Sequence, residues 1–202
     1  MPADLLRHLH AFHVVAEHGG VRPAGGSLLR APSSVTRAVS RLEDALALTL
    51  FERRADGMHL TPAGARVLAH AHTIEAELAA VHAQAAHSRT QRRPVAALAS
   101  LFRERRLALA VQLASLGRMS QVAQASALSQ PAVSQAIAGL EADLGQPIFT
   151  RGAERMEPTP AGRRWAGHFA RALDALGRVR AEGGAAGGDD DDDDDIVIHP
   201  GV

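Results

Sequence analysis

Short polar side chains cluster at the start of a predicted helix, in the segment SQPAVSQ at 129–135. A glutamine amide can pair with the N6 and N7 atoms of adenine, and a serine hydroxyl can contact several base edges in the major groove of DNA. Pro131 fits the first turn of a helix, because the N–H that it lacks has no intrahelical partner there. Each of these polar residues could also be only a helix cap or part of a solvated face, so the segment by itself makes base recognition one of two interpretations. Its candidate DNA-contacting residues are Ser129, Gln130, Pro131, Ala132, Ser134 and Gln135.

A related segment, APSSVTR at 31–37, lies 98 residues earlier in the chain. Arg37 stands where the later segment has Gln135, and an arginine can bond both acceptors of a guanine edge. Gly25 and Gly26 fall inside the preceding predicted helix, where each costs about 1 kcal/mol relative to alanine. We expect this copy to keep the fold while its base recognition is altered or weakened. Its candidate DNA-contacting residues are Ser33, Ser34, Thr36 and Arg37.

Arginines near two predicted hairpins supply candidate phosphate contacts. Arg53 and Arg151 occupy equivalent places there, and a guanidinium that binds phosphate fixes register without recognising sequence. Thr61 and Thr159 each precede a proline, which is the pattern of a helix N-cap.

The overall charge is segregated along the chain. The 22 basic residues are all arginine and balance 22 acidic residues, but seven of the acidic residues form the run Asp189–Asp195. Removing that run leaves a body with a charge of about +7. Arginine suits a phosphate-bearing partner because its planar fork matches phosphate. A GC-rich genome would produce the same composition, so the composition alone leaves the partner open.

The elements that must position these residues occur twice. At an offset of 98 residues, about 18 of the 64 positions from 5 to 68 are identical. Apolar spacing predicts three helices, a β-hairpin and a long helix in each copy. The expected fold class is mainly α, with two tandem winged helix-turn-helix domains, each with a small β-hairpin wing and a long C-terminal linker helix. The predicted ranges are 1–61 for the first domain, 62–93 for its linker helix, 94–159 for the second domain, 160–182 for its linker helix, and 183–202 for a disordered acidic tail.

The boundaries of the individual elements follow from the same spacing. In the first copy we predict helices over about 4–18, 22–29 and 32–45, strands near 50–53 and 58–60, and a helix from 62 to about 88. In the second copy we predict helices over about 100–116, 119–126 and 130–144, strands near 148–151 and 155–158, and a helix over 160–181.

An ordered set of motifs follows the polar segment of the second copy: Leu140-Glu141, Leu144-Gly145, Phe149-x-Arg151 and Thr159-Pro160-Ala161-Gly162. Together with residues 129–134, this set resembles the N-terminal DNA-binding domain of LysR-type transcriptional regulators. The resemblance implies sequence-specific binding of double-stranded DNA, with recognition helices near 32–45 and 130–143 in the major groove. It also implies a phosphate contact for Thr61 and Thr159. The first copy keeps most of these motifs but departs from the pattern at residues 31–34.

Both long helices carry an apolar stripe whose spacing alternates between four and three residues, as in a coiled-coil seam. In the family that the chain resembles, such linker helices pair two protomers. This chain has both seams, so they can pair within it as a pseudo-dimer or between two chains as a homodimer; alternatively, each stripe packs on its own domain. The predicted seam residues are Val67, Ile74, Leu78, Val81, Trp165, Phe169 and Leu176.

Other functional classes find little support in the sequence. It has no cysteine and none of the phosphate-loop, nucleophile-elbow or HExxH motifs. His70 and His72 are two apart and so diverge around a helix. We expect no enzyme activity, no cofactor and no metal site. With neither a secretory signal nor an apolar stretch long enough to span a membrane, a cytoplasmic location at the bacterial nucleoid is expected.

Only about 20 residues follow the second long helix, so the resemblance implies that the family's small-molecule effector domain is missing. The acidic run is interpreted as a disordered solubilising tail, or as a segment that folds back on the DNA-binding face and competes with phosphate. The alternative function is a dimerisation-only module that pairs with full-length LysR-type regulators and inhibits them.

Overall fold

The computed structural model describes residues 4–54, 57–88, 93–152 and 155–185. Within these ranges the chain is mainly helical with small antiparallel β-hairpins, as predicted, and the same order of elements occurs twice along it. The assignment of two tandem winged helix-turn-helix domains stays a prediction. Unit one consists of α1 (Leu5–Glu17), α2 (Val21–Ser27), α3 (Pro32–Leu46), β1 (Phe51–Arg54), β2 (Gly57–Leu60) and α4 (Pro62–Ala86). Unit two consists of α5 (Glu104–Leu116), α6 (Met119–Ala125), α7 (Gln130–Asp143), β3 (Phe149–Arg151), β4 (Met156–Pro158) and α8 (Pro160–Ala185).

We refer to the elements from α1 to β2 as head one and to those from α5 to β4 as head two. Helices α4 and α8 are the linker helices. The element boundaries agree with the predicted ones to within a few residues. The ranges predicted for whole domains remain predictions. Residues 55–56, between the two predicted strands of the first copy, and the acidic run lie outside the described residues.

Each wing is a two-stranded antiparallel hairpin. Phe51 pairs with Leu60 in the first, and Phe149 pairs with Pro158 in the second. In both heads the turn before the third helix contains a non-glycine residue in the left-handed region, Leu29 and Ala127, each with φ of 51°. These two positions are 98 residues apart, so the backbone of the two heads follows the same local path.

One predicted helix is wrong at its start. The expected helix over 100–116 is a short 3-10 helix at Leu98–Leu101, followed by a break and then α5. The break is at Phe102, whose ψ of 58° is not helical. Its side chain is buried and stacks on His10 with ring centroids 4.0 Å apart. The helix is interrupted at Phe102, where the side chain contacts α1 of the other unit. Apolar periodicity within one segment does not predict a contact with another unit.

The linker helices pack against each other in an antiparallel arrangement. Arg66, near the start of α4, donates to Glu182 near the end of α8 at 2.6 Å. At the opposite end, the indole N–H of Trp165 donates to Gln84 at 3.0 Å. The stripes between these ends face inward and are buried. All the predicted seam residues are at most 1% exposed: Val67, Ile74, Leu78, Val81, Trp165, Phe169 and Leu176.

The contacts at the two ends of the linker-helix pair use nearly equivalent positions of the internal repeat. At the offset of 98 residues, Arg66 corresponds to Arg164 and Glu182 corresponds to Gln84. The pair Arg66–Glu182 at one end therefore has the pair Arg164–Gln84 as its equivalent at the other end. The observed contact of Gln84 with Trp165 is one residue away from that expectation. In this structure the seams therefore pair within one chain, and their buried side chains join the cores of both heads into one apolar cluster.

None of the helices in the described ranges has the length and apolar character that crossing a membrane requires.

Candidate nucleic-acid interface

Helix α7 has one apolar face and one polar face. Val133, Ile137 and Leu140 are buried in head two. The opposite face presents polar side chains to solvent over the first two turns, where a helix in the major groove contacts base edges. Of the predicted contact residues, Ser129, Gln130, Pro131, Ser134 and Gln135 are exposed, and Ala132 is partly buried.

Ser129 begins α7 as its N-cap. Its Oγ accepts a hydrogen bond from the backbone N–H of Ala132 at 3.3 Å. The cap satisfies one of the N–H groups that have no partner at a helix start. It leaves the Ser129 hydroxyl hydrogen available to donate, so capping and contact with DNA are compatible.

Helix α3 presents the equivalent face in head one with different chemistry. Ser33, Thr36 and Arg37 are exposed, and Ser34 is partly buried. Thr36 donates to the carbonyl of Pro32 at 3.1 Å, and Arg37 donates to the hydroxyl of Ser34 at 3.4 Å. Local partners in the helix therefore already use several of these polar groups.

The two predicted wing arginines, Arg53 and Arg151, are both exposed. Arg151 lines a cleft of about 490 Å³ together with Gln130 and with two arginines that the sequence patterns did not identify, Arg118 and Arg155. The cleft lies between the wing and the start of α7. The structure thus brings one candidate for base recognition and three guanidinium groups to the same surface.

The predicted threonines are structural in this geometry. Thr61 accepts from the N–H of Gly64 at 2.9 Å and donates to the carbonyl of Thr49 at 2.6 Å. Thr159 makes the equivalent contact with the N–H of Gly162 at 3.0 Å. Each threonine caps a linker helix and ties it to the segment before the wing. The phosphate contact implied for both residues remains a prediction.

Sequence reasoning also missed a basic groove in head one. It has a volume of about 820 Å³ and lies between α1 and α3. Burial lowers the pKa of His8 in this groove, and the charges of Arg41 and Arg7 lower it further. Asp4 and Asp44 also line the groove. Its arginines are Arg7, Arg30, Arg37 and Arg41. Only the spacing of Arg37 and Arg41, four apart on α3, could have indicated part of this surface in advance.

The Leu-Glu motif fixes each wing relative to its third helix. The Glu43 carboxylate accepts from the backbone N–H groups of Leu50 and Phe51, at 2.8 and 3.3 Å. Glu141 accepts from those of Ile148 and Phe149 at 2.9 and 3.1 Å. The glutamates therefore hold the wings in place, and with them Arg53 and Arg151.

Comparisons with known proteins identify the family of the chain. The family model for the bacterial regulatory helix-turn-helix protein, lysR family, matches residues 6–65 and 105–163. The HTH-type transcriptional regulator GalR of Pseudomonas putida is 42% identical over 171 residues, which is 85% of this chain and 42% of GalR. A probable hydrogen peroxide-inducible genes activator of Streptomyces viridosporus is 40% identical over 76 residues, 38% of this chain and 24% of that protein. The chain spans less than half the length of these curated relatives, which are transcription regulators rather than enzymes.

Two solved structures are also similar to part of the chain. A crystal structure of a CbnR_DBD–DNA complex is 31% identical and covers 42% of this chain and 97% of that chain, with a TM-score of 0.39. The structure of CbnR, a LysR family transcriptional regulator, is 31% identical, covers 41% of this chain and 29% of that chain, and has a TM-score of 0.40. The family match, which extends over more than half of the residues, decides the assignment: the chain belongs to the bacterial regulatory helix-turn-helix proteins of the lysR family.

Proposed function

We propose that this protein is a transcription regulator that binds specific sequences in double-stranded DNA through two tandem winged helix-turn-helix heads. The observation that carries this proposal is the exposed polar face of α7, on which Gln130, Ser134 and Gln135 project while the opposite face is buried. A helix held in this way can enter the major groove and form hydrogen bonds with base edges. We place the protein in the bacterial cytoplasm, at the nucleoid, acting without a cofactor.

The pairing of the linker helices supports a two-headed arrangement within one chain. In each unit the head is joined directly to its own linker helix. The two linker helices bury their apolar seams against each other. The alignment with GalR, at 171 residues, is much longer than either region matched by the family model. The chain would therefore act as an intramolecular pseudo-dimer that offers two heads to one DNA duplex.

We further propose that the heads contribute differently to binding. Head two presents amides and hydroxyls on α7, which suit base recognition. Head one has the basic groove on α1 and α3, which Arg7 and Arg41 line, and guanidinium groups of this kind would contact phosphate rather than bases. Head one would thus supply affinity, and head two most of the sequence preference.

The test begins with selection of duplex DNA from a random pool by the purified full chain. Affinity is then measured for the selected site and for a scrambled site over a salt series. We expect the logarithm of the binding constant to fall by about 0.9 per phosphate contact for each unit of log salt. Gln130→Ala should reduce the preference for the selected site by about 1–3 kcal/mol.

Variants in the same measurement separate recognition from electrostatics. Arg151→Ala and Arg41→Ala should weaken binding to both DNAs alike, whereas Arg178→Ala, at an exposed position on α8, is the charge-matched control and should leave both unchanged. Equal losses on both DNAs for Gln130→Ala would remove that residue from base recognition. Failure of the unmodified chain to bind any duplex at low salt would contradict the proposal itself.

The dimerisation-only alternative receives no support from the seam. A module that captures full-length regulators must expose its pairing surface, but residues such as Leu78 and Phe169 are fully buried within the chain. Binding another protein through this surface would require α4 and α8 to separate first.

A further inference from the structure

Three side chains with metal-binding groups meet where α1 of head one crosses α4. His13 and Glu17 are one turn apart on α1, and His72 projects from α4. One ligand atom from each residue lies within 4.8 Å of the other two. The imidazole Nε2 of His72 is 2.9 Å from a carboxylate oxygen of Glu17, and the rings of His13 and His72 meet edge to face with centroids 5.1 Å apart.

We propose that His13, Glu17 and His72 form a binding site for a divalent transition metal ion of the zinc class. Two imidazole nitrogens and one carboxylate oxygen are the protein ligands of many zinc sites that keep a fourth position for water or another ligand. The 4.8 Å spread exceeds the separation of two ligands on one ion, so small side-chain movements are required. The side chains of His72 and Glu17 are 52% and 49% exposed and therefore have room to make them.

A second carboxylate lies behind the first ligand. Glu75 of α4 has an oxygen 3.5 Å from Nδ1 of His13, and the same oxygen contacts His10. Nδ1 of His13 is buried and forms no hydrogen bond among the described residues. In metal sites, a carboxylate at this position commonly holds the second ring nitrogen of a histidine ligand and so fixes its orientation. Glu75 can hold Nδ1 in this way and leave Nε2 of His13 for the ion.

The internal repeat shows that the fold itself does not require these groups. At the offset of 98 residues, the positions of His13, Glu17 and His72 correspond to Val111, Ser115 and Ala170, and Glu75 corresponds to Leu173. Helix α5 packs on α8 in unit two as α1 packs on α4 in unit one, without any of these side chains. The polar cluster is therefore an addition to unit one rather than part of the common framework.

The experiment is a titration of the full chain, prepared without an affinity tag and stripped of metal, with Zn²⁺ by calorimetry and with Co²⁺ by absorption spectroscopy. We expect one ion per chain at this site, and visible Co²⁺ bands of a tetrahedral or five-coordinate nitrogen–oxygen site. His72→Ala and Glu17→Gln should each reduce the affinity at least tenfold. Because both side chains are half exposed, both variants should keep the far-ultraviolet circular dichroism of the unmodified chain.

His87→Ala is the matched control, since His87 is an exposed histidine at the C-cap of the same linker helix and contacts the carbonyl of Ala83 within the part of the chain that the structure describes. It should bind the ion as the unmodified chain does. The acidic run Asp189–Asp195 can also attract cations, and a variant that lacks it should keep the histidine-dependent Co²⁺ bands. Affinities that are equal in His72→Ala, Glu17→Gln and His87→Ala would overturn the proposal, as would the absence of any saturable binding.

Discussion

At the scale of single residues, the glycine of each Thr-Pro-Ala-Gly motif is required by a close approach of backbone to backbone. A Cβ atom on Gly64 would lie 2.1 Å from the carbonyl oxygen of Leu50, and one on Gly162 would lie 2.0 Å from that of Ile148. No side chain fits at such distances, because the obstacle is main chain rather than a flexible side chain. The motif therefore fixes the start of each linker helix against its wing.

Gly162→Ala should destabilise the protein by about 1–3 kcal/mol, because the added methyl group forces α8 away from the segment before β3. Gly177→Ala is the control in the same helix. Gly177 is exposed, and nothing lies within 4 Å of an added Cβ, so alanine should stabilise the helix by up to about 1 kcal/mol. Urea unfolding of the two variants measures both effects, and changes of the same sign would contradict the close-packing explanation.

At the scale of elements, the linker helices are joined by a charged cluster as well as by their apolar seam. Glu77 on α4 accepts two hydrogen bonds from Arg171 at 2.8 Å and one from His168 at 2.6 Å, both on α8. The hydrogen bonds from Arg171 hold the pKa of Glu77 below its ordinary value, and the contact with His168 acts in the same direction.

This shift predicts a pH dependence with a definite sign. A carboxyl group whose pKa is lower in the folded state contributes stability above its unfolded pKa and loses that contribution as the pH falls through the folded pKa. Glu77→Gln should therefore lower the melting temperature at pH 6–7, and the difference from the unmodified chain should vanish as the pH falls well below about 4.5. Thermal unfolding between pH 3 and pH 7 measures the difference.

Asp174→Asn, at an exposed position on α8, removes the same charge and is the control for a change of net charge alone. A Glu77→Gln effect that stays constant across the pH range would mean that the ionised carboxylate does not stabilise the pairing of α4 and α8.

The sequence predicted the elements better than it predicted how they meet. The spacing of Val67, Ile74 and Leu78 identifies a buried stripe on α4, but a stripe does not specify its partner or the direction of that partner. The direction depends on groups at opposite ends of two helices, such as Arg66 and Glu182. Local periodicity contains no information about such pairs.

The same reason explains which parts of the site were foreseeable. Candidates such as Gln130 and Arg151 lie in ordered motifs, so their types and spacing indicated a common surface. The basic groove draws Arg7 from α1 and Arg41 from α3, and the histidine cluster joins α1 to α4. These groupings exist only after tertiary packing, and the comparison of two histidines within α4 could not reveal a third residue on another helix.

At the scale of the whole molecule, we expect the purified chain to be a monomer. Both apolar seams are covered within one chain, so no large unpaired stripe remains on α4 or α8 to drive association. Sedimentation equilibrium should give the mass of one chain over a wide range of protein concentration. A mass of two chains that persists on dilution would indicate that the linker helices pair between chains in solution.

The pairing of α4 with α8 within one chain has a consequence for how the molecule can change over evolutionary time. When a symmetric pair is built from two copies of one chain, every inherited substitution alters both halves at once. Here the halves are encoded separately, and α3 and α7 already differ at their exposed positions. Each half can therefore diverge while the other is conserved. The two heads are then distinguishable, so the molecule has a polarity that a pair of identical protomers lacks.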